Sequence, residues 1–187
     1  PICPEYKSGN RSATGCVATA MGQMMARYSY PSIGVGEHSY GWVRGEGDTV
    51  QLYARFDSVA YNWELMKAKT TLAIYNAQCD QVSTLMYHCG VSVDMKYGAS
   101  SSASTTTAAR SLVKYFGYDK GIQNIQCNVL PGDSVLRIMY RELSDGRPVM
   151  IAGTSEQNTR HAFLADGYNK DGYFHINWGW GGSSDGY

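Results

Sequence analysis

The sequence predicts an α+β fold in which a helical lobe comes first and an antiparallel β-sheet lobe follows. Two observations point there. Up to Asp145-Gly146 most apolar residues recur at helical spacing, and after it three β-type runs follow one another across short turns. The third observation is size. The chain has 187 residues, 43% of them hydrophobic, which suits one globular domain built as two small lobes around a cleft. The lobes are expected at roughly 1–130 and 131–187. There is no internal repeat and no linker long enough to separate independent domains.

The elements follow in order. Residues 1–14 are polar and turn-rich and read as an extended segment. Cys16 to about Tyr28 reads as a helix, because Val17, Met21, Met24, Met25 and Tyr28 fall near helical spacing and only Gly22 interrupts it. "YPSIGVGEHSYG" reads as loop, with Pro31 closing off the helix. "TVQLYARFDSVAYNW" alternates like a strand. "LAIYNAQCDQVSTLMYHCG" reads as an amphipathic helix stopped by Gly90. "GASSSASTTT" is a low-complexity loop that caps the helix "AARSLVKYFG". "DSVLRIMYRELSDG" is a further helix, opened by an Asp-Ser cap. "RPVMIAGT", "HAFLADGY" and "YFHINWGW" are the three strands, separated by "SEQN" and "YNKDG".

Composition excludes several functions. Lys plus Arg and Asp plus Glu both number 16, and the cations form no run, so no nucleic-acid or acidic-membrane partner is expected. No apolar stretch is long enough to span a bilayer. No charged-then-apolar leader opens the sequence, as expected where a signal peptide is removed or lies outside it. Fifteen Tyr against four Phe suit half-wet surfaces and groove walls. The five cysteines, Cys3, Cys16, Cys79, Cys89 and Cys127, include no CxxC pair, which leaves zinc-ribbon and thioredoxin readings little support. An odd count leaves at least one thiol without an intramolecular partner. Cys3, Cys79, Cys89 and Cys127 are expected to be small buried hydrophobes rather than a disulfide framework.

Cys16 stands apart because it opens a helix directly after a glycine. The first helical N–H groups and the helix dipole stabilise negative charge there, and the thiolate is the nucleophilic form of cysteine. The same N–H groups suit an oxyanion. Gly15 permits the tight turn such an approach needs. A small Cys packed at a helix start is the commoner meaning of this pattern alone. A cysteine nucleophile also needs a base, usually His, and that base needs an orienting acceptor. In papain-like enzymes the His and Asn follow the Cys by about 130–150 residues. His161 lies 145 positions after Cys16, and Asn177 follows 16 later. Antiparallel pairing of their strands would set His161 beside Asn177 and Trp178. His175 is the competing base and reads as a satisfied sheet histidine. His88, beside Cys89 in a helix, reads as ordinary. In "NWGWGG", Trp178 is placed to shield the His161–Asn177 hydrogen bond from water.

Together, "ATGCVATAMGQMM", "YNW", "GVSVDMKYG" with its Ser-rich sequel, "HAFLADGY" and "FHINWGWGGSSDGY" resemble the streptopain family of bacterial cysteine peptidases, in order over nearly the whole chain. The resemblance implies a papain-like fold and an endopeptidase with the active-site cleft between the lobes. It implies Cys16 as nucleophile, His161 as base, and Asn177 and Trp178 as the residues that orient and shield it. It implies Trp180 and the following glycines as a substrate-side loop. It implies Ser101 and Ala103 in the loop where the family accepts a hydrophobic residue two positions before the cut. It further implies polypeptide substrates, secretion from a bacterium as a zymogen, the chain's own propeptide as inhibitor, and a monomer. No metal-ligand cluster is visible, and no metal or cofactor is expected.

The sequence departs from the family pattern in three places. The family glutamine that completes the oxyanion hole has no counterpart, since none of the fifteen residues before Cys16 is Gln. Arg160 stands where the family usually has Gly before the His, and it suits a narrowed cleft or acidic substrate side chains. Family chains also continue past "SDGY", so this chain is expected to be incomplete at both ends. Two other readings use the same residues. One is an inactive homologue that binds a peptide or partner in the groove, and the other is a cysteine-dependent amidase or transpeptidase.

Overall fold

The structure is a computed structural model that describes residues 2–45, 47–66 and 75–187. The chain divides into two compact units, Pro1–Ile122 and Gln123–Tyr187. Helices and antiparallel sheets are mixed as the α+β expectation requires. No helix among the described residues is long and apolar enough to cross a membrane.

The first unit is built around α1 (Cys16–Tyr28), whose residues Val17, Ala18, Ala20, Met21 and Met25 are buried. The helix ends where Ser29 turns left-handed and its N–H donates to the Ala26 carbonyl, before Pro31 is reached. Upstream of it, the expected extended segment folds back as a small hairpin, β1 (Glu5–Lys7) with β2 (Asn10–Arg11). Strands β3 (Glu37–Val43) and β4 (Thr49–Arg55) form a seven-rung hairpin running from Glu37↔Arg55 to Val43↔Thr49. The second half of the segment read as loop is therefore strand. Its signal is the alternation of His38, Tyr40 and Trp42, which the glycines on either side obscure.

Helix α2 (Tyr75–Ser92) packs on α1 and β4; residues 72–74 of its expected span lie outside the described residues. Gly90 does not stop it. It lies inside the helix, where the position requires glycine because a Cβ would lie 2.1 Å from the Tyr97 hydroxyl, and the chain turns left-handed only at Asp94, with φ of 51°. Helix α3 (Thr105–Phe116) starts three residues before "AARSLVKYFG", with Ser104 at the cap position but no side-chain cap bond. It ends at left-handed Gly117. Phe56, Phe116, Met95, Leu112 and Val91 complete the core of this unit. Irregular segments are fastened by ring hydroxyls and indoles. Tyr40 donates to the Met95 carbonyl (2.7 Å), Trp42 to Tyr97 (3.1 Å), Trp63 to Pro31 (2.8 Å) and Tyr30 to Gly117 (3.0 Å).

The second unit carries a 3-10 turn (Cys127–Val129), α4 (Gly132–Ser144) and a three-stranded antiparallel sheet. Pro131, not Asp133-Ser134, occupies the cap of α4; Asp133 falls in the first turn, where its charge suits the dipole. The sheet order is β5 (Val149–Thr154), β6 (Arg160–Tyr168), β7 (Phe174–Asn177). α4 packs on β5 and β6, and its Tyr140 ring meets Tyr168 of β6 at 5.1 Å and Phe174 of β7 at 4.6 Å. All five thiols are free. Cys89 is fully buried, and burial pushes its thiol well above the ordinary range. Cys127 is exposed at its 3-10 turn and is not the buried hydrophobe expected.

Candidate active site

In the first unit, Cys16 is the first residue of α1 and half-buried. Gly15 precedes it with φ of 90°, a conformation that a side chain disfavours. A Cβ on Gly15 would also sit 2.8 Å from the Met95 sulfur and 3.2 Å from Cβ of Ser101. The Gly15 carbonyl accepts the Thr19 N–H and hydroxyl, both at 3.1 Å. The turn is braced from outside as well. The Ala13 N–H donates to the Gly98 carbonyl (2.9 Å), and the Ser101 hydroxyl donates to the Ala13 carbonyl (2.6 Å). Ser101 is buried by this brace, while Ala103 is half-buried.

In the second unit, β6 and β7 pair with Leu164 opposite Asn177, so the chain beyond Asn177 runs back toward His161. Nε2 of His161 lies 2.9 Å from the Trp178 main-chain carbonyl. A carbonyl only accepts, so Nε2 carries the proton and Nδ1 is the basic nitrogen. Asn177 is joined to the same peptide unit, because its Oδ1 accepts the Gly179 N–H at 3.0 Å. The indoles of Trp178 and Trp180 lie 6.1 and 5.2 Å from the imidazole and stack on each other at 5.5 Å. Trp180 is 54% exposed, so the outer end of this stack is open to a ligand. Arg160 is exposed at the first rung of β6, opposite Thr154.

Two residues of this half escaped the sequence reading. Phe163 packs on Trp178 at 4.6 Å and stacks beside His161 at 6.1 Å. Its place two residues after His161 on a strand was a usable signal. Asp185 accepts the Trp178 N–H at 2.9 Å, and nothing local in "SSDGY" announces that. The remaining histidines are engaged elsewhere. His175 Nδ1 lies 2.6 Å from the Asp166 carboxylate across the irregular register between Ala165 and Gly167. His38 pairs with Asp94 at 2.7 Å. His88 is buried against Tyr61, and burial lowers its pKa to about 4.

A family model for the peptidase C10 family matches residues 1–187. The chain belongs to the peptidase C10 family. The resemblance read from the motifs is thereby borne out. Among similar proteins, the C10 chain is 36% identical over 184 residues to the thiol protease/hemagglutinin PrtT of Porphyromonas gingivalis, covering 98% of this chain and 21% of that protein. It is 34% identical over 197 residues to streptopain of Streptococcus pyogenes, covering 100% of this chain and 49% of that protein. The chain thus spans about half of streptopain and about a fifth of PrtT. Among solved structures, it matches the active wild-type interpain A cysteine protease of Prevotella intermedia with a TM-score of 0.86 at 32% identity, covering 100% of this chain and 78% of that one. A prointerpain A fragment matches with a TM-score of 0.88 at 34% identity, covering 99% and 58%. The fold is papain-like.

Proposed function

We propose that this chain is the catalytic part of a secreted bacterial cysteine endopeptidase. The Cys16 thiol passes its proton to Nδ1 of His161, and the resulting thiolate adds to the carbonyl carbon of a peptide bond while helix N–H groups at the start of α1 hold the oxyanion. His161 gives its proton to the departing amine as the C–N bond breaks, leaving a thioester on Cys16. His161 then takes a proton from water, whose oxygen replaces the sulfur and frees the acid. Asn177 and Trp178 hold the imidazole in its working tautomer. The observation that carries this reading is the fixing of His161 Nε2–H on the Trp178 carbonyl, which leaves Nδ1 as the nitrogen able to take and return a proton.

Substrate recognition is proposed at Trp180, Arg160 and the loop of Ser101 and Ala103. The Ser101 hydroxyl serves by holding that loop against the turn before Cys16. A hydrophobic residue two positions before the cut is the proposed preference. The propeptide is the proposed inhibitor, and the chain acts as a monomer.

The test is active-site titration with a cysteine-directed peptidyl epoxide, followed by mass spectrometry. Stoichiometric label at Cys16, lost in His161→Ala, is expected. No label in the folded protein would leave a groove that only binds.

A further inference from the structure

We propose that Asp185 is a positioning residue for His161, acting through the backbone of Trp178. The inference deepens the peptidase reading and rests on it. The carbonyl that holds His161 belongs to the peptide unit between Trp178 and Gly179. That unit is gripped at its other end by Asn177, whose Oδ1 accepts the Gly179 N–H at 3.0 Å. The preceding peptide unit, between Asn177 and Trp178, is gripped by Asp185 through the Trp178 N–H at 2.9 Å. Two side-chain oxygens therefore fix the two peptide planes on either side of the Trp178 Cα.

Nothing in the sheet ladder does this work. β7 ends at Asn177, and Gly179, Gly181 and Gly182 follow with φ of 74°, 65° and 87°. A segment with that backbone freedom keeps one orientation only if its polar groups are tied. Asp185 is itself tied in place. The next residue, Gly186, accepts the Ile176 N–H at 2.8 Å and donates to the Ile176 carbonyl at 3.1 Å. The carboxylate thus arrives beside the Trp178 N–H as a consequence of one backbone bridge. Releasing it lets both planes rotate, which turns the Trp178 carbonyl away from Nε2 and disturbs the indole stack over the imidazole.

The clamp depends on an oxygen acceptor at the right distance. Asp185→Asn keeps that oxygen, Asp185→Glu misplaces it by one methylene, and Asp185→Ala removes it. The rate of Cys16 alkylation by the epoxide is expected to fall about tenfold or more in Asp185→Ala and Asp185→Glu, a scale typical of a catalytic group displaced by a fraction of an ångström to an ångström. Asp185→Asn is expected to stay within about threefold of the wild type. On a peptide substrate the loss should appear in kcat with KM little changed. The second readout is the ¹⁵N-coupled proton resonance of His161 Nε2–H. It should be slowly exchanging in the wild type and Asp185→Asn and broadened in Asp185→Glu. The Asn and Glu variants decide the matter even if Asp185→Ala does not fold. Wild-type rates in Asp185→Glu, or an Asp185→Asn protein as slow as Asp185→Glu with its Nε2–H resonance intact, would overturn the proposal. A wild-type protein that takes no label would defeat the peptidase reading, while the resonance would still test the clamp.

Discussion

Acidification should destabilise this protein through His88, and by an amount the structure sets. The ring is 6% exposed, faces Phe56 edge-on at 5.4 Å and lies 2.7 Å from the Tyr61 hydroxyl through Nδ1. Burial pushes the Tyr61 hydroxyl far above its usual range, so it stays protonated and donates, and Nδ1 accepts. Protonating the imidazole places a second donor at that contact and a charge in an apolar pocket. His88 accordingly titrates at about 4 in the folded protein, against an ordinary 6.5. Above pH 6.5 both folded and unfolded chains hold a neutral ring and stability is full. Between 6.5 and 4 the unfolded chain takes a proton that the folded chain refuses, so stability falls as pH falls. Below 4 both carry the proton and the loss levels off. Each pH unit in that window is worth about 1.4 kcal/mol. The whole effect is about 3 kcal/mol, of which about 2 kcal/mol is expressed between pH 7 and pH 5. The assay is urea unfolding at those two pH values for the wild type and His88→Asn, whose amide oxygen still accepts from Tyr61. Carboxylates and the other histidines contribute equally to both. The wild type should lose about 2 kcal/mol more than the variant. Equal losses would refute the argument.

Three further outcomes follow from the site. Gly15→Ala forces a side chain into a left-handed backbone and against the Met95 sulfur; it should cost about 1–3 kcal/mol and slow Cys16 alkylation, and an unaltered unfolding midpoint would contradict the strain described. Ser101→Ala strips the Ala13 carbonyl of its buried donor and should cost about 1–3 kcal/mol in chemical denaturation, whereas a raised peptide KM with no change in stability would make Ser101 a direct substrate contact. Arg160→Gly should leave hydrolysis of neutral peptides unchanged and lower kcat/KM for peptides with an acidic residue beside the cut by about two- to fivefold, the size of an exposed ion pair. A peptide-library profile identical to that of the wild type would remove Arg160 from recognition.

Legibility in the sequence tracked the range of the forces involved. α1 was readable from Cys16 to Tyr28 because its periodicity and the glycine before it are local signals. The three late strands were readable for the same reason, and their pairing put His161 beside Trp178. Gly90 misled because a glycine that stops a helix and one that admits a neighbouring Tyr97 ring look alike until the fold is known. β3 was hidden in a glycine-rich stretch whose inward face is set by distant carbonyls at Met95 and Tyr97. Asn177 was expected to bond His161 directly; the bond falls to the Trp178 carbonyl and Asn177 takes the Gly179 N–H, which was not legible because it depends on how the backbone turns after β7. Asp185 was illegible because its partner is chosen by the bridge between Ile176 and Gly186, a contact between segments ten residues apart.

The way loops are fastened has a consequence for handling. All five thiols are free, and the irregular segments are instead held by phenols and indoles on main-chain carbonyls. A protein stapled by cystines would be loosened by the very reductants that regenerate an oxidised active-site thiol. Here the two requirements are uncoupled. Dithiothreitol or glutathione can keep the Cys16 thiol reduced without breaking any of the contacts that fasten these segments.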